Sequence, residues 1–105
     1  MSSFPIWKPN AKTIRRLNSY DKRVRFRALN NSSRGFIKRK DVREYILSRD
    51  GYKCVLCGSK NDLTIDHIRS IYRVAMNREE YTHFNDESNL RTLCRSCNSK
   101  KNPEE

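Results

Sequence analysis

Two cysteine pairs, Cys54-Val-Leu-Cys57 and Cys94-Arg-Ser-Cys97, are the residues of this chain with the plainest chemical use. Two intervening residues let both thiolates of a pair point at one centre, and Zn²⁺ accepts four sulfurs tetrahedrally at ~2.3 Å. Four thiolates leave no open coordination position, so such a zinc is structural. It closes the 36 residues between the pairs into a loop. The groups suited to catalysis lie in or beside that loop: Asp66-His67, Asn89, and Asn98 directly after the last cysteine. A histidine with an ordinary pKa near ~6.5 can take a proton from water at neutral pH.

The elements that must position these groups are short. Asp41-Val-Arg-Glu44 has the form of a capping box, and Val42, Tyr45, Ile46 and Arg49 follow helical spacing up to a stop at Gly51. This helix leads into a knuckle turn from Cys54 to Gly58. Leu63 to Ile68 reads as a strand, Asn89 to Leu93 as a second, and Arg95 to Asn102 as a helix stopped by Pro103. Strict alternation puts Asp66 and His67 on opposite faces, so a shared site requires the strand to twist or end there. Ile68, Ile71, Tyr72, Ala75 and Met76 form a helical stripe that packs on the core. Residues 77–88 read as a polar loop that includes His83, which we read as a surface residue.

Charge is uneven along the chain. Residues 1–50 carry 14 Lys+Arg against 4 Asp+Glu, while residues 51–105 carry 9 against 8, within a formal net charge of +11. Such a basic half points to a polyanion, most often nucleic acid. No strongly apolar helix face accompanies the charge, which argues against a membrane surface. Neither a signal peptide nor a membrane span is visible, and paired CxxC in a reducing cytoplasm favours zinc over disulfides. Residues 1–10 read as an extended arm docked by Phe4, Ile6 and Trp7. Helical pieces follow from Ala11 and from Lys22, though Arg23, Arg25 and Arg27 alternate with apolar residues in a way that also fits a strand. Asn30 to Gly35 reads as a turn-rich linker. At 105 residues with 35% hydrophobic content, the chain is one domain whose small core gains from a metal.

The run Cys54-x2-Cys57, Asp66-His67-Ile68, Asn89-Leu-Arg-Thr-Leu-Cys94-Arg-Ser-Cys97-Asn98 to Lys101 resembles the HNH endonuclease family, especially its small zinc-stapled phage and bacterial members. The resemblance spans about residues 43–101 and implies an α+β fold: a small ββα-metal core stapled by a four-cysteine zinc, here behind a basic, mainly helical N-terminal extension. It implies His67 as general base, Asp66 as ligand to a catalytic ion, and Asn89 as the brace of the loop bearing the histidine. Asn98 takes the last position, where the family often has His. With Asn98 as ligand, oxygen donors suit Mg²⁺ or Mn²⁺ better than Zn²⁺.

These features together predict residues 1–40 as a basic arm and 41–105 as the nuclease domain. The resemblance implies metal-dependent DNA cleavage, by nicking or by double-strand cutting, with products bearing a 5′ phosphate and a 3′ hydroxyl. Arg15, Arg16, Arg23, Arg25, Arg27, Arg91, Arg95, Lys100 and Lys101 are the expected phosphate contacts. One site per chain suggests that two chains, or a larger DNA-processing complex, would cut both strands. The rival reading is a zinc-stapled DNA-binding module without catalysis, in which Asp66 caps a turn and His67 is structural. A nuclease subunit active only within a larger complex is a further alternative.

Overall fold

A computed structural model describes residues 3–102. Helices α1 (Ala11–Leu17), α2 (Lys22–Ile37) and α3 (Lys40–Arg49) precede strand β1 (Leu63–His67). Helix α4 (Ile71–Asn77), a 3₁₀ turn at Glu87–Asn89, strand β2 (Leu90–Cys94) and helix α5 (Arg95–Lys100) complete the order. The two strands pair antiparallel, with Leu63 opposite Cys94, Asp66 opposite Arg91 and His67 opposite Leu90. Strand, strand and α5 form the expected ββα unit, so the α+β reading holds.

Besides a small cluster of Cys54, Leu93 and Cys94, two apolar clusters make up the buried core. One gathers Phe36, Val42, Ile46, Leu47, Ile65 and Leu90, with Phe4 packed against it. The other joins Leu17, Ala28 and Leu29 of the N-terminal helices to Val74 and Phe84 of the inter-strand connection. Trp7 touches both clusters and donates from Nε1 to Ser32 Oγ at 2.9 Å. Phe4 and Trp7 dock residues 3–10 as expected, but Ile6 is 73% exposed and contributes no anchor.

The largest departure from the sequence reading is α2. It runs unbroken for 16 residues through Asn30-Asn-Ser-Ser-Arg-Gly35, where a linker was expected. Asp21 caps its start by accepting from the Arg23 backbone N–H at 2.9 Å. The cause of its continuation is a buried stripe of Arg25, Ala28, Leu29, Ser33 and Phe36, repeating every three to four residues. Packing along that stripe overrides the poor helix propensity of Asn, Ser and Gly.

Smaller differences also have local causes. Helix α3 is capped by Arg39 without a side-chain bond, and Asp41 lies inside its first turn. Gly51, at φ +74°, ends α3, and Tyr52 N–H returns to Leu47 O at 2.8 Å. On α4 the inward residues are Val74 and Ala75, whereas Ile68 and Tyr72 of the expected stripe are over 40% exposed. Helix α5 ends at Lys100, and Pro103 lies outside the described residues. Arg49 at the end of α3 donates to Glu87 O (2.8 Å) and Leu90 O (2.6 Å), while Asp50 accepts from Thr92 N–H at 2.8 Å. Helix α3 therefore fixes β2 directly. Among the described residues no helix is long and apolar enough to cross a membrane.

Candidate active site and metal centre

The four cysteines converge. Cys54 and Cys57 sit in a tight turn closed by Gly58 N–H on Cys54 O at 2.9 Å, with Gly58 at φ +78°. Cys94 ends β2 and caps α5, its Sγ accepting from Cys97 N–H at 3.4 Å. All four Sγ atoms lie within 4.8 Å of one another, and Cys57 and Cys94 are 3.6 Å apart. Tetrahedral zinc–thiolate bonds of ~2.3 Å need sulfurs about 3.8 Å apart, so the set fits zinc. Burial disfavours the Cys54 thiolate, but backbone N–H groups of Cys94, Cys57 and Leu56 outweigh it and bring the pKa down to about 6. Hydrogen bonds with the sulfurs of Cys94, Cys57 and Cys54 push Cys97 up to about 12. The first proton leaves easily and the last is held, because each thiolate repels the next. A dication among the sulfurs removes that repulsion.

The cysteine cluster lies at one end of the hairpin, where Leu63 pairs with Cys94, and Asp66 and His67 lie at the other end of β1. Both are buried, and both line a cleft of about 340 Å³. His67 is the last residue of β1, still paired with Leu90, and it lines the same cleft as its neighbour Asp66. Asn98 and Lys101 reach the cleft from the α5 side, and Phe26 and Ile37 of α2 form another part of its wall. Asn98 Nδ2 donates to Thr64 Oγ1 at 3.3 Å, which leaves Oδ1 as its ligand atom.

His67 stacks on Phe84, with ring centroids 4.2 Å apart and planes 10° apart. Its Nε2 lies 2.6 Å from Asn85 Oδ1, and Asn85 Nδ2 donates to Ser33 Oγ at 3.1 Å. With its amide nitrogen spent on Ser33, Asn85 presents oxygen to the imidazole, so Nε2 carries the proton. Nδ1 is then the basic nitrogen, and no hydrogen bond from a described residue reaches it. Burial lowers the His67 pKa to about 4 against the opposing pull of Asn85 and Asp66, with Lys101 adding to the depression. The imidazole is therefore neutral at neutral pH.

Asn89 ties down the chain just beyond His67. Its Oδ1 accepts from Arg69 N–H at 2.8 Å, its Nδ2 donates to Phe84 O at 2.7 Å, and its backbone oxygen accepts from Ile68 N–H at 2.8 Å. Asp66 is held by two cations. Arg91, its cross-strand neighbour, donates Nε to Oδ2 at 2.9 Å. Lys101 Nζ lies 3.0 Å from Oδ1 and 3.2 Å from Oδ2, and donates to the His67 backbone oxygen as well.

Of the arginines expected to meet phosphate, Arg15, Arg16, Arg23, Arg27 and Arg95 are exposed, as is Lys100. Arg25 is corrected: it is 5% exposed. Its guanidinium is spent on Ala75 O (2.8 Å), Ser19 O (2.7 Å) and Tyr20 O (2.9 Å), where it joins α2 to α4. Phe84, Asn85 and Ser33 were not singled out from the sequence. Nothing local marks Asn85 among the polar residues around it, since its partners lie 18 and 52 residues away.

Comparison with protein-family models matches residues 54–104, just under half of the chain, to the family described as HNH endonuclease. Searches of curated proteins and of solved structures gave no match.

Proposed function

We propose that the chain is a metal-dependent nuclease of the HNH endonuclease family, whose model matches residues 54–104, and that it hydrolyses phosphodiester bonds in DNA. The observation that carries this reading is His67. It is a neutral imidazole whose Nε2 is committed to Asn85, in the cleft that also holds Asp66 and Asn98.

In this reading His67 Nδ1 accepts the proton of the attacking water, whose oxygen bonds to phosphorus as the bond to the 3′ oxygen breaks, and the 3′ oxygen leaves with the bonding pair and takes a proton from solvent. The products carry a 5′ phosphate and a 3′ hydroxyl. Asn85 holds the required tautomer, Phe84 fixes the ring plane, and Asn89 sets the height of the loop. Asp66 and the Asn98 oxygen are the groups that would hold Mg²⁺ or Mn²⁺, hard donors matched to hard ions. Bound there, such an ion would supply stabilisation for the negative charge that develops on the phosphoryl oxygens and the departing oxygen.

Grooves leading to the cleft support nucleic acid as substrate. Arg16 and Arg27 line one groove, and Arg27 recurs with Arg23 in a second. That second groove shares Phe26 and Tyr72 with the cleft itself. A backbone laid along these arginines arrives at His67. Phosphate contacts of this kind position a strand without reading its sequence.

The test is relaxation of supercoiled plasmid with Mg²⁺ or Mn²⁺. His67→Ala should slow cleavage by roughly 10²–10⁴-fold while still binding DNA. The non-catalytic binding module draws on one observation: Arg91 and Lys101 already satisfy Asp66. Equal behaviour of wild type and His67→Ala would leave that module standing.

A further inference from the structure

The contacts of Lys101 are those of an ion at a metal site. Its ammonium bonds both oxygens of Asp66 and the backbone oxygen of His67, with its side chain only 9% exposed. A carboxylate and a carbonyl converging on one cation are the ligands a hard divalent ion takes. We propose that Lys101 is the resident cation of the cleft, and that a divalent ion reaches Asp66 only by displacing it.

The surroundings fit an exchange. Lys101 lies just past α5 with extended backbone (φ −68°, ψ 137°), so its movement breaks no helical turn. Its charge rides on a flexible four-carbon stem, unlike the planar Arg91 fork on the same carboxylate. Arg91 remains at 2.9 Å when Lys101 leaves, so Asp66 is never buried without a partner. The displaced ammonium stays at the mouth of a cleft that, on the nuclease reading, receives a phosphate. Lys101 would thus pass from carboxylate to substrate, and the metal would be held best when DNA is present. By linkage, whatever draws Lys101 off Asp66 raises metal affinity, and bound metal favours that same release by an equal factor.

The proposal rests on the nuclease reading only for the divalent ion itself, and its readout is binding rather than cleavage. Zinc-loaded wild type, Lys101→Met and Lys101→Arg are titrated with Mn²⁺, and free Mn²⁺ is followed by electron paramagnetic resonance. Removing one positive charge from the cleft should tighten Mn²⁺ binding by on the order of tenfold in the Met variant. The Arg variant, which keeps the charge, should not gain. Equal affinity in wild type and Lys101→Met, or no binding by either, overturns the proposal.

A second measurement needs no variant. In wild type, acylation of Lys101 by an amine-reactive reagent, read by mass spectrometry, should lag behind exposed Lys100. Added Mn²⁺ should accelerate it at Lys101 alone. A Lys101 rate that ignores Mn²⁺ counts against displacement. Plasmid cleavage by wild type is scored separately. Cleavage with unchanged Mn²⁺ affinity sinks the Lys101 proposal and spares the nuclease. Tighter Mn²⁺ binding in Lys101→Met without any cleavage does the reverse.

Discussion

Asn85 Oδ1 stands 2.6 Å from His67 Nε2, and the same amide donates to Ser33 on α2. The candidate base is therefore oriented by a residue of the inter-strand connection, which is in turn oriented by the basic N-terminal region. Asn85→Leu keeps the approximate volume and removes the acceptor. It should lower the cleavage rate on the order of 10–100-fold, by analogy with the loss when the hydrogen-bond partner of a metal-site histidine is removed. DNA affinity should stay within about twofold, because Asn85 is buried. A parallel fall in affinity, measured by fluorescence anisotropy, would mean that Asn85 supports the whole surface rather than the tautomer.

Burial of His67 makes acid a structural stress. Its folded pKa of about 4 lies below the ordinary 6.5. A depressed pKa on a base contributes stability that is fully present above the unfolded value and is lost as pH falls through the folded one. The window is therefore pH 6.5 down to about 4. Over it, His67 should cost on the order of 3 kcal/mol of stability. Urea unfolding at about pH 7 and about pH 4.5 should show His67→Phe losing less stability on acidification than wild type. A ring titration near neutrality, seen by NMR, would contradict the burial argument.

How much of this was legible beforehand depends on the range of the contact. The cysteine pairs, the two strands and α5 are readable because CxxC spacing and short apolar alternation act within a few residues. Asp66, His67, Asn89 and Asn98 are candidates because they lie in or beside the loop between the cysteine pairs. Asn85 could not be picked out, because its meaning comes from partners 18 and 52 residues away. The same holds for Asn30 to Gly35, whose composition reads as a turn while the buried stripe of α2 makes it helix. Arg23, Arg25 and Arg27 look alike in sequence. Helical rotation sends the middle one inward to three carbonyl groups and the outer two to solvent.

That difference among the arginines separates stability from binding. Arg25→Ala leaves three carbonyl oxygens without their shared donor, so it should cost roughly 3 kcal/mol of stability. Arg23→Ala and Arg27→Ala should leave stability within about 0.5 kcal/mol. Each should reduce the slope of log K against log salt by about 1. Salt-dependent anisotropy beside thermal melts resolves the two effects. A salt slope unaltered by both surface variants would remove α2 from the DNA path.

Zinc removal should act on the catalytic end of the hairpin through α5. This helix has six residues, far below the length at which a helix persists in water unaided. It is held by Cys94 and Cys97 at its start, and it carries Asn98 and leads to Lys101. Cys97→Ser, or a chelator, should therefore release both residues from the cleft along with the metal. Structural zinc contributes many kcal/mol to small domains, so the midpoint of thermal unfolding should fall by roughly 10 °C or more. Elemental analysis should give one zinc per chain in the wild type and a loss in the variant. The cluster that joins Leu17, Ala28 and Leu29 to Val74 and Phe84 contains no cysteine, so part of the helical circular dichroism should survive. Cleavage that persists in zinc-free protein would mean that α5 holds its place without the sulfurs, and that the staple serves another part of the chain.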